Sequence, residues 1–381
     1  MLVLKSILYI VITAEILIAQ PFSLNSILNL YLAIWFILVI RCLVFKKPFR
    51  IYYSLLPFSL FFISLIFYSK TTSYGYQQLS LILSYLSIFI LFQNLISKHE
   101  IKNLIHILGA LVIIYTLIEA LWILPYLRQI FPSSSLKNMH HLKYIISKQR
   151  TTAFFLTPNN LGIFLLFTLY ALWECKSKFW KYAISVVIFS CILTTKSIGV
   201  WICLAGAILI VSYKTINKKY IWGGLIIIFC FLTTVIWLRR DLLFNPYNLY
   251  FNPFYQRAKM WERTLILISH RPITGYGLGS FSLWYNQGLP HYLNQEIYAH
   301  NFLLQLWFES GLCGFLWAII FYLFSLQMIW KKLNDEPFLS LCCLTFLIHN
   351  LFDASFYLPK VGIFFWIFLA LLLRPAHRHN I

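Results

Sequence analysis

NLIHILGALVIIYTLIEALWILPY, residues 103–126, decides the fold. At about 1.5 Å of rise per helical residue, an apolar run of this length crosses a hydrocarbon layer of about 30 Å. Its one acidic residue is Glu119. Comparable runs recur on both sides, over roughly 2–19, 24–44, 51–68, 76–96, 153–173, 179–195, 198–213, 220–238, 312–330, 337–352 and 359–373. Together they predict about 12 transmembrane helices. Only Lys196 and Ser197 separate the seventh run from the eighth. The first run contains Glu15 and ends in Leu17-Ile18-Ala19-Gln20, a poor cleavage site, so it is expected to stay as a helix.

Composition agrees with that reading. Of 381 residues, 60% are hydrophobic and 11% charged, which a water-soluble core cannot absorb. The expected fold is therefore an all-α polytopic protein, one integral membrane domain over 1–381. A net charge of +20 raises nucleic acid as a partner, but the basic residues are spread between the spans and form no patch. Membrane topology accounts for them better. With the N-terminus inside, the inner connections and their flanks hold 17 of the 31 Lys and Arg, while the short outer connections hold only Lys70, Lys196 and Lys360. That asymmetry follows the positive-inside rule. The rest lie in two long outer segments, 127–150 and 239–299, where topology does not call for charge. The eight cysteines fall in or beside apolar runs, a pattern that predicts neither disulfides nor a structural zinc site.

The second outer segment is the more structured. Its aromatic start, from Phe244 to Trp261, reads as an interfacial belt in preference to a sugar-stacking surface. A helix is expected over 254–269, with Arg257 and Trp261 on one stripe and Lys259 and Arg263 on a nearly opposite one. Arg271-Pro272 ends it, and Gly275, Gly277 and Gly279 form a flexible turn whose spacing is not a dinucleotide fingerprint.

AHNFLLQLWFESGLCG, residues 299–314, follows. As a helix over 300–310 it puts Asn301, Gln305 and Glu309 on one polar stripe, with His300 in the first turn, where the helix dipole favours a neutral ring. Gly311 and Gly314 allow a break, so 300–310 is expected to lie at the outer interface. Geometry alone leaves this stripe open to helix packing or to chemistry. His349, Asn350 and Asp353, close to Lys360, form a second polar cluster that reads as helix contacts; Arg374, His377, Arg378 and His379 read as a solvated inner tail.

Several local patterns, in order, resemble the bacterial O-antigen ligase and polymerase superfamily. They are His300-Asn301 with Leu304, Glu309, Gly311 and Gly314; the Arg257 to Trp261 helix; Arg271 to Phe281, which runs from proline to the glycine turn; and Arg150 ahead of Phe154, Pro158, Asn159 and Asn160. The resemblance covers roughly 150–375. Where many relatives carry Ser-Arg-Gly this chain has Ser197-Ile198-Gly199, which leaves Lys196 as the candidate cation, although lysine lacks the bidentate fork of arginine.

The resemblance implies a GT-C-like membrane glycosyltransferase in the bacterial inner membrane, with its site facing the periplasm. The donor it implies is a glycan on undecaprenyl pyrophosphate, and the acceptor a sugar hydroxyl on lipid A core, with no metal or other cofactor. Fixed cations suit a pyrophosphate leaving group, arginine best of all. His300 is then the general base, Arg150, Arg257 and Lys196 hold the donor pyrophosphate, and Trp261, Asn301, Gln305 and Glu309 support them. The competing reading of the arginines is as interfacial anchors for lipid phosphates.

Two other functions compete with ligation. A polymerase would use a second lipid-linked repeat as acceptor; the Glu309-Ser310-Gly311 ending and the single dominant outer loop lean to a ligase. A transporter or flippase of lipid-linked sugar predicts ionisable groups in mid-span and broken helices in matching halves; Glu15 and Glu119 are the few acidic residues in the apolar runs, and they form no matched pair.

Overall fold

The computed structural model describes residues 73–130, 149–155, 157–215, 253–288 and 296–374, with a few isolated positions elsewhere. The runs expected over 2–19, 24–44, 51–68 and 220–238 lie outside these stretches, as do most of the 127–150 segment and residues 239–252 and 289–295 of the second outer segment. Among the described residues all elements are helices.

In chain order they are α1 (Ser73–Leu95), α2 (Lys98–Ile118), which continues through a π-helical turn (Glu119–Ile123) into α3 (Leu124–Ile130), α4 (Pro158–Ala171), α5 (Lys178–Thr195) and α6 (Ile198–Thr215). After the second gap come α7 (Pro253–His270), the short α8 (Phe281–Tyr285), α9 (Phe302–Lys332), α10 (Pro337–Asn350) and α11 (Pro359–Leu372). Four stretches among the described residues are long and apolar enough to cross a membrane: Tyr74–Asn94, Lys98–Ile130, Lys178–Thr195 and Phe302–Lys332. Ile198–Lys214, Pro337–Asn350 and Pro359–Leu372 are shorter apolar helices of the same bundle.

Local chemistry sets the helix boundaries. Ser97 and Glu100 form a reciprocal capping box at the start of α2, and Thr157 caps α4 ahead of Pro158. Lys196 ends α5 in the left-handed conformation (φ 49°), and Ser197 alone separates it from α6. The center of the bundle is α11, apolar on every side, with Phe364, Phe365, Trp366 and Phe368 wholly buried against α1, α4 and α10. The outward faces are apolar too. Ile107, Leu111, Ile114 and Ile118 line one side of α2, and Leu312, Leu316, Ile320 and Leu323 one side of α9, all exposed. Contiguous patches of this kind are a liability in water and are at no disadvantage against lipid tails.

The helices alternate between two ends. One end gathers cations: Lys98 pairs with Glu336 at 2.6 Å, and Arg374 donates to the Phe92 and Gln93 carbonyls. At the opposite end the starts of α4, α6, α9 and α11 meet the last turns of α5 and α10, and the polar residues converge there.

Candidate functional site

The site is built on the break at the start of α9. Asn301 is the N-cap: its Oδ1 accepts from Leu304 N at 3.0 Å, and its Nδ2 donates to the Leu351 carbonyl at 3.0 Å, which ties α9 to the end of α10. Residue 300, just outside the helix, has φ 48°, a backbone conformation that residues other than glycine rarely adopt. Its neighbour holds it there. Ala299 donates its N–H to Gln305 Oε1 at 2.7 Å, and its carbonyl accepts from Trp261 Nε1 at 2.9 Å. Strain enforced from both sides in this way is a mark of functional sites.

The His300 ring lies between two carboxylates. Nδ1 is 2.9 Å from Asp353 Oδ1, and Nε2 is 3.5 Å from Glu296 Oε2. Burial disfavours the charged ring, but the hydrogen bonds to Asp353 and Glu296 and the Asp353 charge outweigh it and raise the His300 pKa to about 9. At neutral pH the resting ring is therefore an imidazolium. This corrects the expectation of a neutral ring: His300 precedes the cap instead of occupying the first turn, and two carboxylates overcome the helix dipole.

Asp353 is the hub. Arg257 Nη2 approaches its Oδ2 at 3.4 Å, Asn159 Nδ2 donates to the same oxygen, and His349 Nε2 stands 3.8 Å away. Burial works against its charge, yet the His300 hydrogen bond, Arg257 and the two imidazoles hold the carboxyl well below the usual carboxylate range. From Asn159 the network runs on: its Oδ1 accepts from Ser197 Oγ at 2.7 Å and from Arg150 Nη2 at 3.4 Å, while Arg150 Nε donates to the Thr195 carbonyl at 2.8 Å. Residues from five parts of the chain thus share one connected set of polar contacts. Lys196 itself is exposed at the end of α5.

The two stripes of α7 divide as their opposite directions require. Arg257 and Trp261 face the His300 turn, whereas Arg263 donates to the Gln287 carbonyl at 2.7 Å and lies over the Tyr285 ring, and Lys259 pairs with Glu262 at the surface. Gln305 and Glu309 point into the protein. Gln305 Nε2 donates to Glu309 Oε1 at 2.7 Å, and the same oxygen accepts from Gln78 Nε2 and Gly279 N, both at 3.1 Å. Glu309 is fully buried, so the stripe joins α1, α9 and the glycine turn.

That turn is tied to the kink in α9 by backbone hydrogen bonds. Gly311 (φ 60°, ψ −154°) is non-helical and divides α9 into two helical segments across a kink. The carbonyls that the kink frees are taken up by the turn: Tyr276 N donates to Phe308 O and Gly277 N to Glu309 O, both at 2.9 Å, and Leu312 N donates to Ile273 O at 3.2 Å. A Cβ on Gly311 would overlap the Ile273 carbonyl, and one on Gly275 would meet the Glu309 carbonyl and Gly311 N. Gly311→Ala combines a nearly glycine-only backbone region with that overlap and is expected to cost about 3 kcal/mol or more. The check is a thermal melt of the detergent-purified protein: a wild-type melting temperature would show that the turn does not fix the kink.

Sequence reasoning missed Asp353 and Glu296. In sequence Asp353 reads as a helix contact, because nothing local reveals that a residue 53 positions after His300 turns back onto it. Its position, a carboxylate just past the end of an apolar run, was the available signal.

A comparison with curated proteins finds no match. The O-antigen ligase family model matches residues 183–319. That stretch contains Lys196, Arg257, Trp261, His300, Asn301, Gln305 and Glu309, with Arg150 and Asp353 just outside it. Residues 183–319 are thus similar to the O-antigen ligase family, and that stretch holds the turn on which the site is built.

Proposed function

We propose that the protein is a membrane glycosyltransferase that moves a glycan from undecaprenyl pyrophosphate to a sugar hydroxyl of lipid A core, on the periplasmic face of the bacterial inner membrane. The observation that carries this reading is the shared Asp353 carboxylate, which joins a basic imidazole, His300, to a cation, Arg257, at one end of an apolar bundle.

In this reaction the acceptor oxygen attacks the anomeric carbon, the bond from that carbon to the pyrophosphate oxygen breaks, and the pyrophosphate leaves with the electron pair. The resting His300 imidazolium first loses its Nε2 proton, and the acceptor proton then passes to that nitrogen. Asp353 keeps Nδ1 as the donor, which leaves Nε2, beside Glu296, as the nitrogen that exchanges the proton, and it stabilises the imidazolium once formed. Arg257 and Arg150, with Lys196 nearby, supply the fixed positive charge that the departing pyrophosphate needs. Glu309, Gln305, Asn301 and Trp261 hold the His300 turn without touching substrate.

The test is deletion of the gene followed by a surface-glycan gel. A ligase leaves long chains on the lipid carrier and bare lipid A core when it is lost. Core capped by a single repeat would mean a polymerase instead. Bare core with no long chains on the carrier, and lipid-linked donor retained on the inner leaflet, would point to transport.

A further inference from the structure

Glu119 stands in the later part of the apolar run that decides the fold, and it is buried at 7% exposure. A carboxylate buried in an apolar helix is costly and calls for a reason. It opens the π-helical turn Glu119–Ile123, a distortion that recurs at functional sites. Its oxygens are both spent on the chain just after Arg150. Thr152 N donates to Oε1 at 3.2 Å and to Oε2 at 3.0 Å, Ala153 N donates to Oε2 at 2.6 Å, and the Thr152 hydroxyl donates to Oε1 at 3.1 Å.

The segment it grips is bent. Gln149 (φ 49°) and Ala153 (φ 44°) both lie in the left-handed region that L side chains avoid. A second clamp holds the other side: Thr151 N donates to the Thr194 carbonyl at 3.3 Å, the two threonine hydroxyls are 2.7 Å apart, and Lys360 Nζ donates to the Phe154 carbonyl at 2.6 Å. Arg150 leaves this clamped turn with its guanidinium on Thr195 O and Asn159 Oδ1. A change at Glu119 would therefore reach the arginine through the backbone of the turn that carries it.

We propose that Glu119 is a positioning residue for the donor site: as an acceptor of backbone N–H groups, it fixes the 149–154 turn so that Arg150 meets the donor pyrophosphate. This rests on the reading of Arg150 as a donor ligand given above. Glutamine is not a neutral replacement, because its amide would set an N–H donor against backbone donors.

The experiment measures binding of undecaprenyl pyrophosphate to the full-length protein in detergent, for wild type, Glu119→Gln, Arg150→Ala and the double variant, with a melting curve for each. Glu119→Gln is expected to weaken binding about 10-fold in a protein that stays folded at the assay temperature, with a lowered melting temperature from the mismatched amide. The double variant is expected to bind no more weakly than Arg150→Ala, because both changes remove the same contact. Thr152→Val, which removes one donor to Glu119 and keeps the carboxylate, is expected to move binding in the same direction by about 3-fold and covers the case of a Glu119 variant that fails to fold. Binding weakened by Arg150→Ala but not by Glu119→Gln, or losses that multiply in the double variant, would overturn the positioning role alone. Wild-type binding by Arg150→Ala would instead remove the donor reading of Arg150, and this proposal with it.

Discussion

His300→Ala lowers glycan transfer by about 10²- to 10⁴-fold, the usual contribution of a positioned general base. The assay uses purified protein with an undecaprenyl pyrophosphate-linked glycan and lipid A core, and it counts the joined product. Two features of the structure make the result interpretable. The His300 side chain is 31% exposed, so its removal leaves no large cavity. Asp353 keeps Arg257 and Asn159 as partners when the imidazole is gone, so the hub stays charge-balanced. Insertion, melting temperature and binding of undecaprenyl pyrophosphate should therefore stay close to wild type while the rate collapses. Transfer at the wild-type rate would remove His300 from the chemistry and return AHNFLLQLWFESGLCG to helix packing.

How far the sequence anticipates this site depends on the range of each interaction. Helix existence is a property of local composition, so the boundaries of α5, α6, α10 and α11 follow from where the apolar runs stop. The division of α7 into an Arg257 and Trp261 face and an Arg263 face follows from helical periodicity alone. Depth is harder to read. The break that Gly311 and Gly314 allow is present as a kink at Gly311, with helix on both sides of it from Phe302 to Lys332, whereas nothing in 300–310 alone says where its first turns sit relative to a membrane. The glycines of 275–279 read as freedom because their partner, the broken carbonyl ladder at 308–309, becomes adjacent only after folding. The charge state of His300 was misjudged for the same reason. The helix dipole is visible in sequence, whereas the Asp353 carboxylate arrives from another helix.

Asp353→Asn is expected to have the second large effect, and the pH profile carries its meaning. In wild type the base must lose its proton before it can take one from the acceptor, so transfer should rise with pH and level off above about 9, where His300 becomes neutral. Replacing the carboxylate removes both the strongest hydrogen bond and the closest negative charge that hold the ring protonated. Burial, which pulls the other way, then dominates, with only Glu296 left to oppose it. The midpoint should therefore fall, by more than one pH unit, toward the ordinary histidine value of about 6.5. The fraction of neutral ring at pH 7 rises, yet the plateau rate should drop by about 10²- to 10⁴-fold, because the ring loses the partner that fixes Nδ1 as donor and that stabilises the imidazolium formed during transfer. Arg257 also loses its carboxylate and with it part of its fixed direction. Midpoint and plateau thus move for one physical reason and can be read in one series of initial rates. An unshifted midpoint in Asp353→Asn would mean that another group titrates. A wild-type rate that falls above pH 9 would make the imidazolium the working form, so that the His300–Asp353 pair would act by giving a proton to the departing pyrophosphate.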